Sequence, residues 1–118
     1  MRSWAQRAKT SAEWAAGVPL TLDTAQGGRT RVHAGGYAIR AIFNPTTWEA
    51  TVGLHRYQLD RDTTLRQQAS ECRIGASLLL CSYPTGQVPL DATQEAARLH
   101  AIANVLADAS PVYDPEEN

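Results

Sequence analysis

The stretch "RTRVHAGGYAIRAIFNPTTWEATVGL", from Arg29 to Leu54, alternates apolar and polar residues between groups of turn-forming residues. Such alternation is the pattern of a half-buried β-strand, because successive side chains of a strand point to opposite faces. Gly35-Gly36 favours a turn because glycine tolerates positive φ, and Asn44-Pro45 favours turn initiation. The stretch therefore predicts antiparallel strands joined by short connections.

The same alternation begins upstream in "VPLTLDTA", residues 18–25, which adds a strand. "HRYQL", residues 55–59, reads as a continuation of the last strand. Residues 18–59 thus predict an antiparallel meander of about four strands. Further upstream, "RSWAQRAKTSAEWAAG" carries apolar residues at helical spacing, which predicts an N-terminal helix with the stripe Trp4, Ala8, Ala12 and Ala15.

The periodicity becomes helical after residue 60, where Asp62 or Thr63 can cap the helix and Thr64 with Gln67 can form a capping box. Gly75 weakens the helical pattern, and two alternatives stay open: one continuous helix, or a helix over 63–73 followed by a fifth strand at 74–83. Residues 90–110 predict a second helix capped by Asp91 with Gln94 at the reciprocal position. Its predicted buried stripe is Ala92, Ala96, Leu99, Ala103 and Leu106, with Ile102 beside it.

This order of elements predicts an α+β fold in which the helices pack on one face of the sheet. We expect residues 1–110 to form a single globular domain and residues 111–118 to form an acidic C-terminal tail. The chain has 118 residues, a length typical of one domain. Two cysteines, Cys72 and Cys81, would lie about 13 Å apart on a helix, too far for a disulfide. Reduced thiols predict a cytoplasmic protein.

No apolar run approaches the length of a membrane span, so no membrane partner is expected. The glycine pairs at 27–28 and 35–36 match neither a dinucleotide fingerprint nor a phosphate-binding loop. The cysteines and histidines lack the close spacing of a zinc site. No serine or cysteine lies in a nucleophile motif. We therefore expect no enzymatic activity, no cofactor and no metal.

Charge is distributed unevenly along the chain, although the net charge is only −1. Residues 1–59 hold seven Lys or Arg and three Asp or Glu, whereas residues 60–118 hold four and nine. On the strand "RTRVHA", the period of two places Arg29, Arg31 and His33 on one face. Arg40 and Arg56 lie on neighbouring segments and would extend it. These five residues are the predicted binding surface. The alternative is a solvated outer sheet face whose charges discourage edge-to-edge aggregation.

An arginine-rich sheet face on a small charge-polarised domain is typical of accessory proteins that bind another macromolecule. We expect a non-catalytic inhibitor, immunity or adaptor protein, of the kind that phages and mobile elements carry, docking onto an acidic protein. One alternative is binding to a nucleic acid backbone, which the net charge disfavours. Another is a structural component of a larger assembly such as a virion, with homo-oligomerisation.

Overall fold

The computed structural model describes residues 18–24 and 30–109, which contain six short strands and two helices. The strands are β1 (Leu20–Thr24), β2 (Thr30–Ala34), β3 (Tyr37–Ala38), β4 (Ile42–Asn44), β5 (Glu49–Val52) and β6 (His55–Gln58). The helices are α1 (Leu65–Cys81) and α2 (Leu90–Ala109). The α+β class is thereby confirmed. The helix predicted at residues 2–17 and the tail predicted at 111–118 lie outside the described residues.

The strands form two antiparallel three-stranded sheets, ordered β1-β2-β3 and β4-β5-β6. The prediction of one meander of about four strands is therefore wrong in strand number and grouping. The predicted strand over 37–43 breaks between the sheets, where Ile39 and Ala41 are buried. The expected continuation into 55–59 is a hairpin, because Val52 lies opposite His55 across a two-residue turn. Gly53 has φ 59° there, as the first central position of a tight hairpin requires.

The connection between β4 and β5 is held by side chains as well as by its backbone. Asn44 Oδ1 accepts hydrogen bonds from the backbone N–H groups of Thr46 and Thr47. Trp48 adopts a left-handed conformation with φ 55°, which is unusual for a bulky residue. Its ring packs edge-on against Phe43, with 5.7 Å between ring centroids. Packing and turn hydrogen bonds together stabilise this strained residue.

Helix α1 is capped by Thr64, whose hydroxyl accepts a hydrogen bond from the Gln67 backbone N–H, and not by Asp62 or Thr63. The helix continues to Cys81, so the alternative of a fifth strand at 74–83 is wrong. Gly75 does not interrupt it, although glycine is not needed there: the residue faces Leu99 of α2, and an added Cβ would lie 3.6 Å from Leu99 Cδ1. Tertiary packing thus outweighs the low helix propensity of glycine.

Helix α2 lies between the sheets and α1, and it packs against both. Ile102 and Leu106 are completely buried, and alanines accompany them on the buried faces of α2. Ala92, Ala96, Ala103, Leu106 and Ile102 are buried as predicted, whereas Leu99 is only half-buried. Asp91 lies inside the first turn, one residue after the helix begins, and not at the predicted cap position. Within the described residues, neither helix has both the length and the apolar character needed to cross a membrane.

Candidate functional site

The middle strand of the first sheet, β2, carries two of the predicted binding residues on its outer face. Arg31 is exposed and His33 half-buried, whereas Val32 and Ala34 between and beyond them are buried. The backbone of this strand is fixed at its start, because Asn104 of α2 donates a hydrogen bond to the Thr30 carbonyl at 2.7 Å. The backbone that carries Arg31 is therefore held in place by the buried side chains of its own strand and by the hydrogen bond from α2.

The cross-strand neighbours of these residues determine the charge of the outer face. The antiparallel register places Asp23 of β1 directly opposite Arg31, and Thr21 opposite His33. Side chains opposite each other on one face of a sheet lie about 5 Å apart at their Cβ atoms. The outer face of the first sheet, formed by Thr21, Asp23, Arg31 and His33, therefore carries charges of both signs.

The remaining predicted residues lie in three different places. Arg29 falls outside the described residues. Arg40 follows β3 and donates a hydrogen bond to Asp108 Oδ2 of α2 at 2.6 Å, so its guanidinium takes part in an intramolecular ion pair. Arg56 is exposed on the outer face of the second sheet, opposite Thr51. The structure thus brings together Arg31 and His33, and it divides the arginines between two sheets.

A polar cluster that the sequence did not reveal joins the second sheet to α2. The Tyr57 hydroxyl of β6 donates a hydrogen bond to Glu95 Oε1, and Arg98 Nε donates to the same hydroxyl at 2.8 Å. Arg98 Nε also lies 3.2 Å from Glu95 Oε1. The three-residue spacing of Glu95 and Arg98 was visible in the sequence, but the contact with Tyr57 depends on long-range folding.

This cluster stabilises the neutral form of the tyrosine. Burial, followed by the hydrogen bond to Glu95, raises the pKa of Tyr57 to about 12. A hydroxyl with a raised pKa is a poor nucleophile and a poor base at neutral pH, since almost none of it is ionised. The neutral hydroxyl instead connects β6 to α2 through its hydrogen bonds with Glu95 and Arg98.

The contact between α1 and α2 contains two further titratable groups. Burial raises the pKa of the Cys72 thiol, and the carboxylate of Glu71 raises it further. Burial lowers the pKa of His100, and the nearby Arg73 guanidinium lowers it further. Activated cysteines have lowered pKa values, so the environment of Cys72 is that of a packed, unreactive thiol.

Over residues 18–24 and 30–109, no three His, Cys, Asp or Glu side chains gather into a group that could hold a metal ion. Cys72 is half-buried and Cys81 exposed, and both are free thiols. No protein family model matches the chain, and neither a curated protein nor a solved structure is significantly similar to it.

Proposed function

We propose that this protein is a small, non-catalytic binding protein that docks through Arg31 and the surrounding outer face of the first sheet onto an acidic region of a protein partner. One observation carries the proposal. Arg31 is exposed on the middle strand of its sheet, and its guanidinium makes no hydrogen bond or ion pair with any described residue. An arginine presented in this way retains its full capacity for bidentate contact with a carboxylate.

Three other arginines supply a contrast that supports this choice. Arg40 binds Asp108, Arg61 donates to the Thr46 carbonyl, and Arg98 lies in the Tyr57 cluster. These side chains connect parts of the fold to one another. Arg56, like Arg31, is exposed without such a contact to a described residue, and it forms a second candidate contact on the neighbouring sheet.

The mixed charge of the outer face favours a protein partner over a nucleic acid. Asp23 lies opposite Arg31, and a phosphate backbone would be repelled by that carboxylate. Nucleic acid binding generally relies on several cations that neutralise successive phosphates. A protein surface can instead offer a carboxylate to Arg31 and a hydrogen-bond donor to Asp23. The raised pKa values of Cys72 and Tyr57 support a non-catalytic role, because neither group is activated.

The test is affinity capture from an extract of the source organism, with and without nuclease, followed by mass spectrometry and a binding titration with the recovered protein. We expect Arg31→Glu to abolish capture of an acidic protein while the circular dichroism spectrum stays unchanged. Arg56→Glu tests whether the second sheet takes part. The matched control is Arg73→Glu, which makes the same charge reversal at an exposed arginine of α1. This variant should bind the partner as wild type does.

Three outcomes contradict the proposal. Equal binding by wild type and Arg31→Glu excludes the outer face of the first sheet. Loss of all partners on nuclease treatment indicates nucleic acid. Equal loss of binding in Arg31→Glu and Arg73→Glu indicates attraction by overall charge and not by this face.

A further inference from the structure

Helix α1 has an apolar stripe on the side that faces away from the core. Its inner side packs through Leu65, Ala69 and Ala76. On the opposite side, Ile74 and Leu78 are 59% and 63% exposed, and Cys81 is exposed one turn further on. A helix on the surface of a globular protein normally presents polar residues there. We call the stripe Ile74, Leu78 and Cys81 the outer face of α1.

Exposed apolar side chains are concentrated in this part of the chain. Within the described residues, the exposed large apolar side chains are Val18, Tyr37, Leu54, Ile74, Leu78, Tyr83 and Leu90. The last four belong to residues 74–90, which form the C-terminal half of α1, the connection and the start of α2. Ile74 and Leu78 lie one helical turn apart, so their exposed side chains adjoin, and an exposed apolar patch marks an interaction site.

The same residues carry no charge, and this suits a patch that packs against its own copy. Residues 74–90 contain no Asp, Glu, Lys, Arg or His, and they are the longest such stretch of the chain. In a two-fold dimer the same patch meets itself, so any charge near the axis would face an identical charge. A patch without charges avoids that repulsion, whereas it offers nothing to a charged partner.

We propose that the outer face of α1 is the interface of a homodimer, in which a second copy of this chain packs its own α1 against it. Ile74 and Leu78 are four residues apart and form the one-turn apolar spacing that helix pairing uses. An antiparallel crossing between them places Ile74 of each copy beside Leu78 of the other.

The charged residues of α1 agree with this crossing. Arg66, Glu71 and Arg73 all precede Ile74, so they occupy the N-terminal half of the helix. In an antiparallel pair, that half faces the uncharged C-terminal half of the other copy. The arrangement therefore brings no pair of like charges together.

The test is sedimentation velocity over a wide range of protein concentration. We expect wild type to reach twice the 12.8 kDa mass of one chain at high concentration. Leu78→Glu should remain a monomer at every concentration, because dimerisation would bury an unpaired carboxylate. The matched control is Leu54→Glu, since Leu54 is 86% exposed at the β5–β6 turn. That variant should dimerise as wild type does.

A second measurement needs no variant of the interface. Cys81 is exposed in the single chain, whereas burial slows the reaction of Cys72. We expect the alkylation rate of Cys81, followed by peptide mass spectrometry, to fall as the dimer forms. A monomeric wild type at all concentrations overturns the proposal, as does Leu78→Glu that still dimerises. Loss of the dimer in Leu54→Glu, or Cys81 alkylation that does not depend on concentration, also overturns it.

Discussion

Two glycines show how differently the same residue acts in this fold. Gly53 has φ 59° in a two-residue hairpin turn, a conformation that other L-residues adopt at a cost. Gly75 lies inside α1 and is not among the residues with positive φ. A Cβ added at Gly75 would lie 3.6 Å from Leu99 Cδ1, an ordinary van der Waals distance. The backbone conformation therefore favours glycine at position 53, whereas at position 75 it does not.

We therefore expect Gly75→Ala to stabilise the protein. Alanine in a helix interior is favoured over glycine by about 0.5–1 kcal/mol, and the new methyl group contacts Leu99 without a clash. Urea unfolding followed by circular dichroism should show a higher midpoint. Gly53→Ala is the control, and it should lower the midpoint because its strained φ is kept. A lower midpoint for Gly75→Ala would mean that α1 and α2 pack too tightly to accommodate the methyl group.

At the scale of elements, α2 holds the first sheet through polar side chains as well as apolar contacts. The Gln94 amide binds both backbone groups of Leu20, accepting from its N–H at 2.7 Å and donating to its carbonyl at 3.1 Å. Among the described strands, β1 pairs only with β2, so these groups lie on the edge that no described strand pairs with. The side chain of Gln94 thereby occupies the place of a neighbouring strand.

Replacing this amide should loosen β1 more than the rest of the fold. In Gln94→Leu both hydrogen bonds are lost, and at about 0.5–1.5 kcal/mol each the free energy of unfolding should fall by about 1–3 kcal/mol. Relative to wild type, the rate of hydrogen exchange should rise more at the Leu20 amide than at the Ile102 amide. Gln94→Glu keeps the acceptor but loses the donor, so an intermediate effect is expected. Gln87→Leu, at an exposed glutamine, is the control, and an equal effect there would contradict this role.

The sequence predicted the elements whose pattern is local. Alternation placed Val32 and Ala34 on the buried side of β2, and helical spacing placed Ala96 and Leu106 in the core. It failed at the β5–β6 turn, because apolar Leu54 continues the alternation although it is exposed in the turn.

Local patterns likewise predicted only part of the candidate site. The positions of Arg31 and His33 follow from the period of a strand. The ion pair of Arg40 is formed with Asp108, which is 68 residues away in the sequence. A contact over that separation cannot be predicted from a local pattern. Likewise, the sequence did not indicate that Asp23 lies opposite Arg31, because that neighbour is set by strand register.

At the scale of the whole molecule, the two proposed surfaces lie on opposite layers. The sheets pack on one side of α2 and α1 packs on the other. A dimer formed through the outer face of α1 would therefore leave Arg31 of each copy accessible. Two copies of one docking surface can bind a repeated or dimeric partner with higher avidity than a single copy.

The stability of the whole molecule should depend on pH through the contact between α1 and α2. Burial, and then Arg73, lower the pKa of His100 below its ordinary value of 6.5. Above pH 6.5 the imidazole is neutral in both the folded and the unfolded chain, so its contribution to stability is fully present. As the pH falls below 6.5, the unfolded chain binds the proton first, and stability is lost until the pH passes the lowered pKa.

We accordingly expect wild type to lose stability between about pH 7.5 and about pH 5, and His100→Gln to lose less, since glutamine does not titrate there. Arg73→Gln should give an intermediate loss, because it removes only the second cause of the shift. Urea unfolding of the three proteins at both pH values measures these differences. Other titrating groups are common to all three and cancel in the comparison. Equal losses in wild type and His100→Gln would show that His100 accepts its proton as readily in the folded chain as in the unfolded one.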